Sequence, residues 1–464
     1  MKYIVILRED WVLAKIGDSN YLSGDNIDSL LKAMLKLPHG SKVFINNLDK
    51  KGKYLCDTAN KYNIKTNTTI NKDNLWFMII LNNKIKVIDA NKKIPVDTEQ
   101  LSNTYDIPYD GTIISEMGIW NKSLSIHYDR GMTANTISGD AMLNYKQTIG
   151  EKQFKTLFPK LSPELDKQIR RSYLGAWCYK NKDKSGKGLV LDIVSMYSYI
   201  MRNFSLPYGK PIIFEGDRIR ILPKTKCQFF EIRLTGRLRR NNVPCFRSNE
   251  LDNQELATEI VDETRVVTLY DLELIQQQYH IYEITFIKQY VFNGSTEMFS
   301  SYIDNHFEVK NTSKDKGEIF IAKRMLNGLY GKFGQFIDGF NTQYIDGKKI
   351  TEKRGECQYV YVPLASYVTS IGRWLIINAA QQNYDIFLYS DTDSLHIEGT
   401  LSDMKNITIG TALGEFKVEN EFNEAKYKSQ KYYGLKLIDG SEKLVLAGVT
   451  DEEKEALDYN NFDV

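Results

Sequence analysis

The chain has 464 residues, 42% hydrophobic and 26% charged, with a formal net charge of +2. These figures describe a globular chain with room for two to four compact units and exclude a disordered one. Near-neutral charge also removes any argument from bulk electrostatics for a nucleic-acid partner, so a basic groove has to be local.

The start, MKYIVILREDWVLAKIG, is apolar for a few residues and is then interrupted by Arg8, Glu9 and Asp10. This predicts a core strand rather than a signal peptide. IVIL (4–7), VFI (43–45) and WFMIIL (76–81) predict strands, and DSLLKAMLKL (28–37) an amphipathic helix, giving an α/β unit over the first ~145 residues. A stretch rich in Thr, Ser and Gly at 129–140 has loop composition and predicts a boundary. GLVLDIV (188–194) follows as a buried strand ending on a carboxylate, then CQFFEIRL (227–234) as strand and TLYDLELIQQQY (268–279) as helix. Residues 313–330 predict one long helix broken by Gly331, Gly334 and Gly339, and a further helix is expected over roughly 365–382. IFLYSDTDSLHIEG (386–399) predicts two strands folded back around an acidic turn. No run approaches the roughly 20 apolar residues that span a bilayer, so a soluble protein without a membrane partner is expected. The five cysteines and five histidines are dispersed, with no spacing for a structural zinc site or a disulfide framework.

Two segments place carboxylates where burial makes them costly. SDTDS (390–394) sits between the apolar flanks IFLY and LHI, and Asp192 lies inside an apolar strand. Asp and Ser are also ordinary turn formers, and a lone Asp can cap a helix, so neither segment decides alone. Together they supply carboxylates from separate strands, the usual way to assemble an oxygen-ligand site for Mg²⁺. A pair of such ions can hold the attacking 3′-oxygen and the leaving pyrophosphate of an in-line displacement.

KRMLNGLYGKFG (323–334) is the third piece. Lys323, Asn327 and Tyr330 fall at i, i+4 and i+7 and share one helix face. That stripe suits a nucleoside triphosphate, with Lys323 taking phosphate charge and the other two near base and sugar; an amphipathic surface helix would carry the same pattern.

In this order the three segments resemble motifs A, B and C of family B DNA polymerases. Motif A, D-x-x-S-L-Y-P, reads Asp192-Ile-Val-Ser195-Met-Tyr197-Ser198. Motif B, K-x-x-x-N-S-x-Y-G, reads Lys323-Arg-Met-Leu-Asn327-Gly328-Leu-Tyr330-Gly331, and motif C, Y-x-D-T-D-S, reads Tyr389-Ser-Asp391-Thr392-Asp393-Ser394. RRSYLGAW (170–177), LPYGKPIIFEG (206–216) and QKYY (430–433) are similar to the protein-primed phage branch of that family. The resemblance covers roughly 130–450 well and the N-terminal part faintly.

What the resemblance implies is specific. The fold would be α/β (α+β): a right hand of palm, fingers and two insertions, preceded by a degenerate RNase H-like exonuclease domain. Its parts would be the exonuclease-like domain (1–145), linker and first palm segment (146–202), first insertion (203–298), fingers (299–334), second insertion (335–360), second palm segment (361–449) and a thumb remnant (450–464). Asp192 and Asp393 would be the metal ligands, with Asp391 as a third catalytic carboxylate and two Mg²⁺ ions (Mn²⁺ as the alternative) as cofactors. Tyr197, Lys323, Asn327 and Tyr330 would bind the incoming nucleotide. Tyr173, Gly175, Ser195, Thr392, Lys431 and Tyr433 would contact template or primer DNA. Partners would be primed template, dNTPs and a priming terminal protein, in the cytoplasm of a bacterial host.

The chain also departs from that pattern. Ser198 stands where motif A has Pro and Gly328 where motif B has Ser, changes expected to tune nucleotide handling. The start has no D-x-E, Lys51 stands where the second exonuclease motif has Asp, Asp49 is displaced by two positions, and no third motif precedes 145. A lysine does not ligate Mg²⁺, so loss of proofreading is expected. The short thumb segment predicts low processivity. The alternative reading is a catalytically retired or initiation-only homologue that binds nucleic acid; retention of Asp192, Asp393, Lys323 and Tyr330 argues against it.

Overall fold

The short β-branched runs of the N-terminal part form strands, as their composition predicts. The computed structural model describes all residues except 71–75, 249–254, 338–339, 346–347, 354–357, 450, 455 and 463–464. The second-insertion and thumb-remnant expectations therefore fall partly outside the described residues. Two compact units emerge, 1–151 with 304–359, and 152–303 with 360–464.

In the first unit, nine described strands form one sheet. At its centre Lys2–Leu7, Lys42–Ile45 and Ile85–Asp89 run parallel, and the flanking strands are antiparallel. Alternation along these strands sorts the side chains onto two faces. Val5, Leu7, Val43, Ile45 and Val87 share a core with the helices Ile27–Leu35 and Leu48–Lys61. Ile4, Ile6, Phe44 and Ile88 pack with the helix Ile113–Asp129. Coverage of both faces is why these strands read as continuous apolar runs. The hairpin Phe340–Ile345 and Lys348–Lys353 joins the sheet edge through Thr342 opposite Thr68.

The second unit is built on a sheet whose central strand, Gly188–Ile193, lies antiparallel between Ser394–Glu398 and Phe416–Ser429. Beside it in sequence, Leu206–Glu215, Lys226–Leu238, Glu259–Thr268 and Tyr279–Ser295 make a four-stranded antiparallel sheet, with the helix Leu269–Gln278 on its apolar face. The long helix Val362–Gln382 is buried along most of its length.

Element types match the expectations, and several boundaries move for local reasons. The helix expected over 313–330 runs Lys316–Phe333, because the Asp315 carboxylate accepts from the Glu318 N–H at 3.0 Å and fixes the start. Gly331 does not break it; a single exposed glycine costs only about 1 kcal/mol within a helix held by its buried face. The helix expected from 365 starts at Val362, with Pro363 in its first turn, where a missing N–H is harmless. Of the loop-like tract 129–140, only 130–136 connects helices, since Thr136 caps Ile137–Ile149 through the Gly139 N–H.

Candidate active site

Strand register brings the two acidic segments together. Asp192, near the end of Gly188–Ile193, is paired with Ser394, the residue that follows Asp393. The Ile193 N–H donates to the Asp393 carbonyl at 3.0 Å, and the Asp393 N–H to the Asp391 carbonyl at 2.8 Å, closing the acidic turn against the central strand. Paired residues of antiparallel strands lie about 5 Å apart at Cα, so Asp393 sits one residue from the partner of Asp192, near enough for the Asp192 charge to act on its carboxyl. The consequence is electrostatic. Burial first, then the charges of Asp192, Asp391 and Glu419, push the Asp393 carboxyl up to about 7.

Two lysines supply countercharge. Lys417, opposite Asp192 on the neighbouring strand, places Nζ 3.3 Å from Asp192 Oδ1. Lys431 Nζ lies 3.4 Å from Asp391 Oδ1, which also accepts from the Thr392 hydroxyl at 2.9 Å. Among the described residues no three or more His, Cys, Asp or Glu side chains converge on a metal position. A pair of carboxylates nevertheless fits Mg²⁺, which takes one or two carboxylates and completes its shell with phosphate oxygens and water. Asp391, paired to Lys431, is a neighbour rather than a third convergent ligand.

Backbone strain concentrates here. Ser195, Thr392 and Lys431 all adopt left-handed conformations, with φ of 49°, 64° and 56°, a state that non-glycine residues hold only under surrounding constraint. Ser195 precedes the helix Met196–Asn203 and turns the chain directly after Asp192. Thr392 is held by its N–H on the Trp177 carbonyl at 3.0 Å, and Lys431 by its N–H on the Tyr389 hydroxyl at 2.8 Å. Tyr389, His396, Tyr427 and Tyr433 form one aromatic cluster beneath the turn, Tyr389 and Tyr427 stacked at 5.2 Å. Tyr433 is only 7% exposed, so of the pair expected at primer DNA only Lys431 presents a surface side chain, while Tyr433 supports the turn from below.

The segment 173–177 is tied by its carbonyls. Arg373, 4% exposed, donates to the carbonyls of Leu174 and Gly175 at 2.9 Å each and makes a two-pronged pair with Asp271. Arg247 donates to Ala176 at 2.7 Å. Tyr173 is partly buried, and Gly175 is exposed with open space around its α-carbon. The motif-A helix carries Tyr197, whose ring lies where Gly372 leaves room: a Cβ there would come 3.1 Å from Met196 Cε and 3.3 Å from Tyr197 Cε1. Ser198 is buried in the same helix.

Lys417, Glu419, Gly372 and Arg373 were missed by the sequence reading. An arginine inside the apolar run ASYVTSIGRWLIINAA was the one signal that could have flagged Arg373.

In the first unit, Lys316–Phe333 buries Met325, Leu326, Leu329 and Phe333 and leaves Lys323 and Asn327 exposed and Tyr330 half-buried, as the stripe predicted. Gly328 is not on that stripe. Its absent Cβ would lie 3.3 Å from Ser138 Cα and 3.6 Å from Ala141 Cβ, so it permits the close approach to the helix Ile137–Ile149. The same unit holds a second polar cluster, after the ends of Lys2–Leu7 and Lys42–Ile45. Arg8 Nη2 lies 2.6 Å from Glu116 Oε2, the Asn46 amide donates to Glu116 Oε1 at 2.8 Å, and Lys51 donates to the Asn46 carbonyl at 3.1 Å. Asp89, raised first by burial and then by Asp49, faces Lys92 at 3.9 Å.

A family model described as DNA polymerase type B, organellar and viral, matches residues 36–411. The chain belongs to the type B DNA polymerases. It is 29% identical to the DNA polymerase of Bacillus phage Nf over 97% of this chain and 91% of that protein. Identity to the Bacillus phage phi29 enzyme is 29%, over 96% and 89% of the two chains, and to that of Streptococcus phage Cp-1 28%, over 90% and 82%. The fold is similar to that of phi29 DNA polymerase in its orthorhombic crystal form, with a TM-score of 0.89 at 25% identity over 100% of this chain and 95% of that one. The complex of that polymerase with primer-template DNA and incoming nucleotide gives 0.88 at 25% identity, over 99% and 94%. This type B polymerase is thus a DNA-directed DNA polymerase of mixed α/β fold performing template-directed DNA synthesis. Polymerases of this kind work with divalent metal ions. No described helix is long and apolar enough to cross a membrane.

Proposed function

We propose that the chain adds dNTPs to a 3′-hydroxyl at Asp192 and Asp393, starts from a protein primer, and lacks 3′–5′ proofreading. The first part rests on one observation above all. Asp192 on the central strand and Asp393 in the turn beside it lie close enough that burial and the neighbouring carboxylates push Asp393 up to about 7. They would hold two Mg²⁺ ions, which when bound neutralise charge on the attacking oxygen and the leaving pyrophosphate. Lys323 binds triphosphate oxygens, and Asn327 and Tyr330 line the nucleotide pocket. Tyr197 lies under the incoming sugar and excludes a 2′-hydroxyl. Gly175, Ser195, Thr392 and Lys431 bear on primer and template, positioned by the ties that hold 173–177 and the acidic turn. Template, primer and dNTPs are the partners, in keeping with the DNA and nucleotides of the phi29 complex.

Loss of proofreading is supported by the second cluster. Its carboxylates Glu116 and Asp89 face cations, Arg8 and a Lys92 shared with Asp49, and Lys51, which stands where the resemblance expects a carboxylate, donates to the Asn46 carbonyl. Protein priming is supported by the similarity of 170–177, 206–216 and 430–433 to the protein-primed branch. We assign the four-stranded sheet within 203–298 to the terminal-protein insertion, and the palm to the sheet around Gly188–Ile193. The test is Mg²⁺-dependent extension of a 5′-labelled primer, run beside the same primer without dNTPs. Extension without shortening is expected, and abolished in Asp393→Asn. Shortening of the primer in the absence of dNTPs would overturn the proofreading assignment, and extension by the variant the metal assignment.

A further inference from the structure

One group of charges in the first unit is used by none of these functions. Lys2, Lys42 and Lys86 are partners in register on three adjacent parallel strands. In parallel pairing such partners point to one face, here the face of Ile4, Phe44 and Ile88 covered by Ile113–Asp129. Three ammonium groups thus form a row with strands about 4.8 Å apart, roughly 10 Å end to end. Like charges set directly opposite one another destabilise a sheet. The repulsion registers on the residues: burial and then Lys2 and Lys86 hold Lys42 below the usual lysine range, and burial lowers Lys2.

The row runs beside a pocket of about 320 Å³ whose lining includes Lys2, Lys42, Ser125, Tyr128 and Asp129. Local countercharge is largely committed elsewhere. Asp140, the nearest buried carboxylate, is bonded to the fully buried Lys93 and accepts from the Ala134 N–H at 2.8 Å. Asp129 is exposed and accepts from Ser125. Lys42 donates to the Asn135 side chain, and Lys2 lies 3.3 Å from the centre of the Tyr128 ring, whose buried hydroxyl has no hydrogen-bond partner among the described residues. This end of the sheet is the opposite one from Arg8 and Glu116, since Lys2 begins the strand that Arg8 follows.

We propose that the edge formed by Lys2, Lys42 and Lys86 binds the phosphodiester backbone of single-stranded DNA. A row of cations, unlike a single cradle, matches successive phosphates on one strand, and basic grooves that track the backbone are how sequence-independent strand binding is achieved. The activity of the enzyme supplies such strands as unpaired template.

The experiment reads this surface directly. Lysine acylation by a water-soluble succinimidyl ester, quantified by mass spectrometry, is compared with and without oligothymidylate; exposed Lys122 serves as the control. Labelling of Lys2, Lys42 and Lys86 should fall at least threefold with the oligonucleotide and stay unchanged with dATP or inorganic phosphate at equal phosphate concentration. The combined variant K2Q/K42Q/K86Q should melt no lower than wild type and extend saturating primer-template at the wild-type rate. Its log–log salt slope for oligothymidylate binding should be shallower by about 0.7 for each phosphate that no longer meets a lysine. Unchanged labelling together with an unchanged slope would overturn the proposal. Equal protection by dATP or inorganic phosphate would overturn the strand assignment.

Discussion

Replacing Asp393 by Asn should make the protein more stable and inactive at once, and the pH dependence of the stability carries the proof. The native carboxyl is pushed up to about 7 against an ordinary 3.8. Between those values the native state holds a proton that the unfolded chain has released, so stability falls as pH rises from about 4 to about 7 and then levels off. About three units at 1.36 kcal/mol each gives roughly 4 kcal/mol, which partial solvent access reduces to roughly 2–4 kcal/mol. Asn does not titrate and escapes the cost. With a chelator present, Asp393→Asn should melt several degrees above wild type at pH 8, given roughly 2–4 °C per kcal/mol for a unit of this size. The gap should narrow steadily as pH drops towards 4. Adding Mg²⁺ at pH 8 should raise the wild-type midpoint and leave the variant unmoved, and incorporation should fall about a thousandfold or more, the equivalent of several kcal/mol of lost charge stabilisation. Wild-type and variant curves running parallel from pH 5 to pH 8 would refute the reasoning, because Asp393 would then carry no like-charge burden.

Lys323→Ala should raise KM for dNTP tenfold or more in steady-state extension while binding of primer-template by anisotropy stays within twofold. Arg373→Met leaves Asp271 without its partner and releases the carbonyls of Leu174 and Gly175; breaking one side of such a buried pair costs about 3–5 kcal/mol, visible as a lower unfolding midpoint in urea. Gly372→Ala exchanges a favourable helix-propensity change of about 1 kcal/mol for a Cβ 3.3 Å from the Tyr197 ring. Stability should therefore change little, while the ratio of dNTP to rNTP incorporation shifts.

The residues that were legible in the sequence are those whose signal is local. An Asp ending an apolar strand, an acidic turn between two apolar runs, and a Lys–Asn–Tyr stripe each declare themselves within a dozen positions, because burial and helix periodicity act on near neighbours. Lys417 and Glu419 gave no such signal. Lys417 meets Asp192 only through the register of strands separated by more than two hundred residues, and Glu419 reaches Asp393 through the bulge that shifts that register at Val190 and Leu191. Gly372 and Gly328 are similar cases, since a glycine's value at a helix contact depends on what the partner helix places there. The burial of Tyr433 was hidden for the same reason, for the period-two pattern of KYY does not say which tyrosine faces Tyr389 until the neighbouring strands are in place.

The two acidic clusters of the chain illustrate one rule from opposite sides. Around Asp192 and Asp393 the carboxylates crowd together, Lys417 reaches only the outer one, and the chain bears a cost in stability that a single Asn would relieve. Around Glu116 and Asp89 basic groups stand closer, Arg8 beside Glu116 and Lys92 shared between Asp89 and Asp49, with the Asn46 amide on Glu116 and Lys51 on the Asn46 carbonyl. A charge arrangement that lowers stability persists only where activity requires it, whereas one freed of that requirement drifts towards neutral pairing, since substitutions that relieve strain are common and easily kept. That contrast is what the proposed function expects, with catalytic demand on the first cluster and none on the second. The lysine row Lys2–Lys42–Lys86 is likewise a like-charged arrangement, which the proposed strand binding would account for.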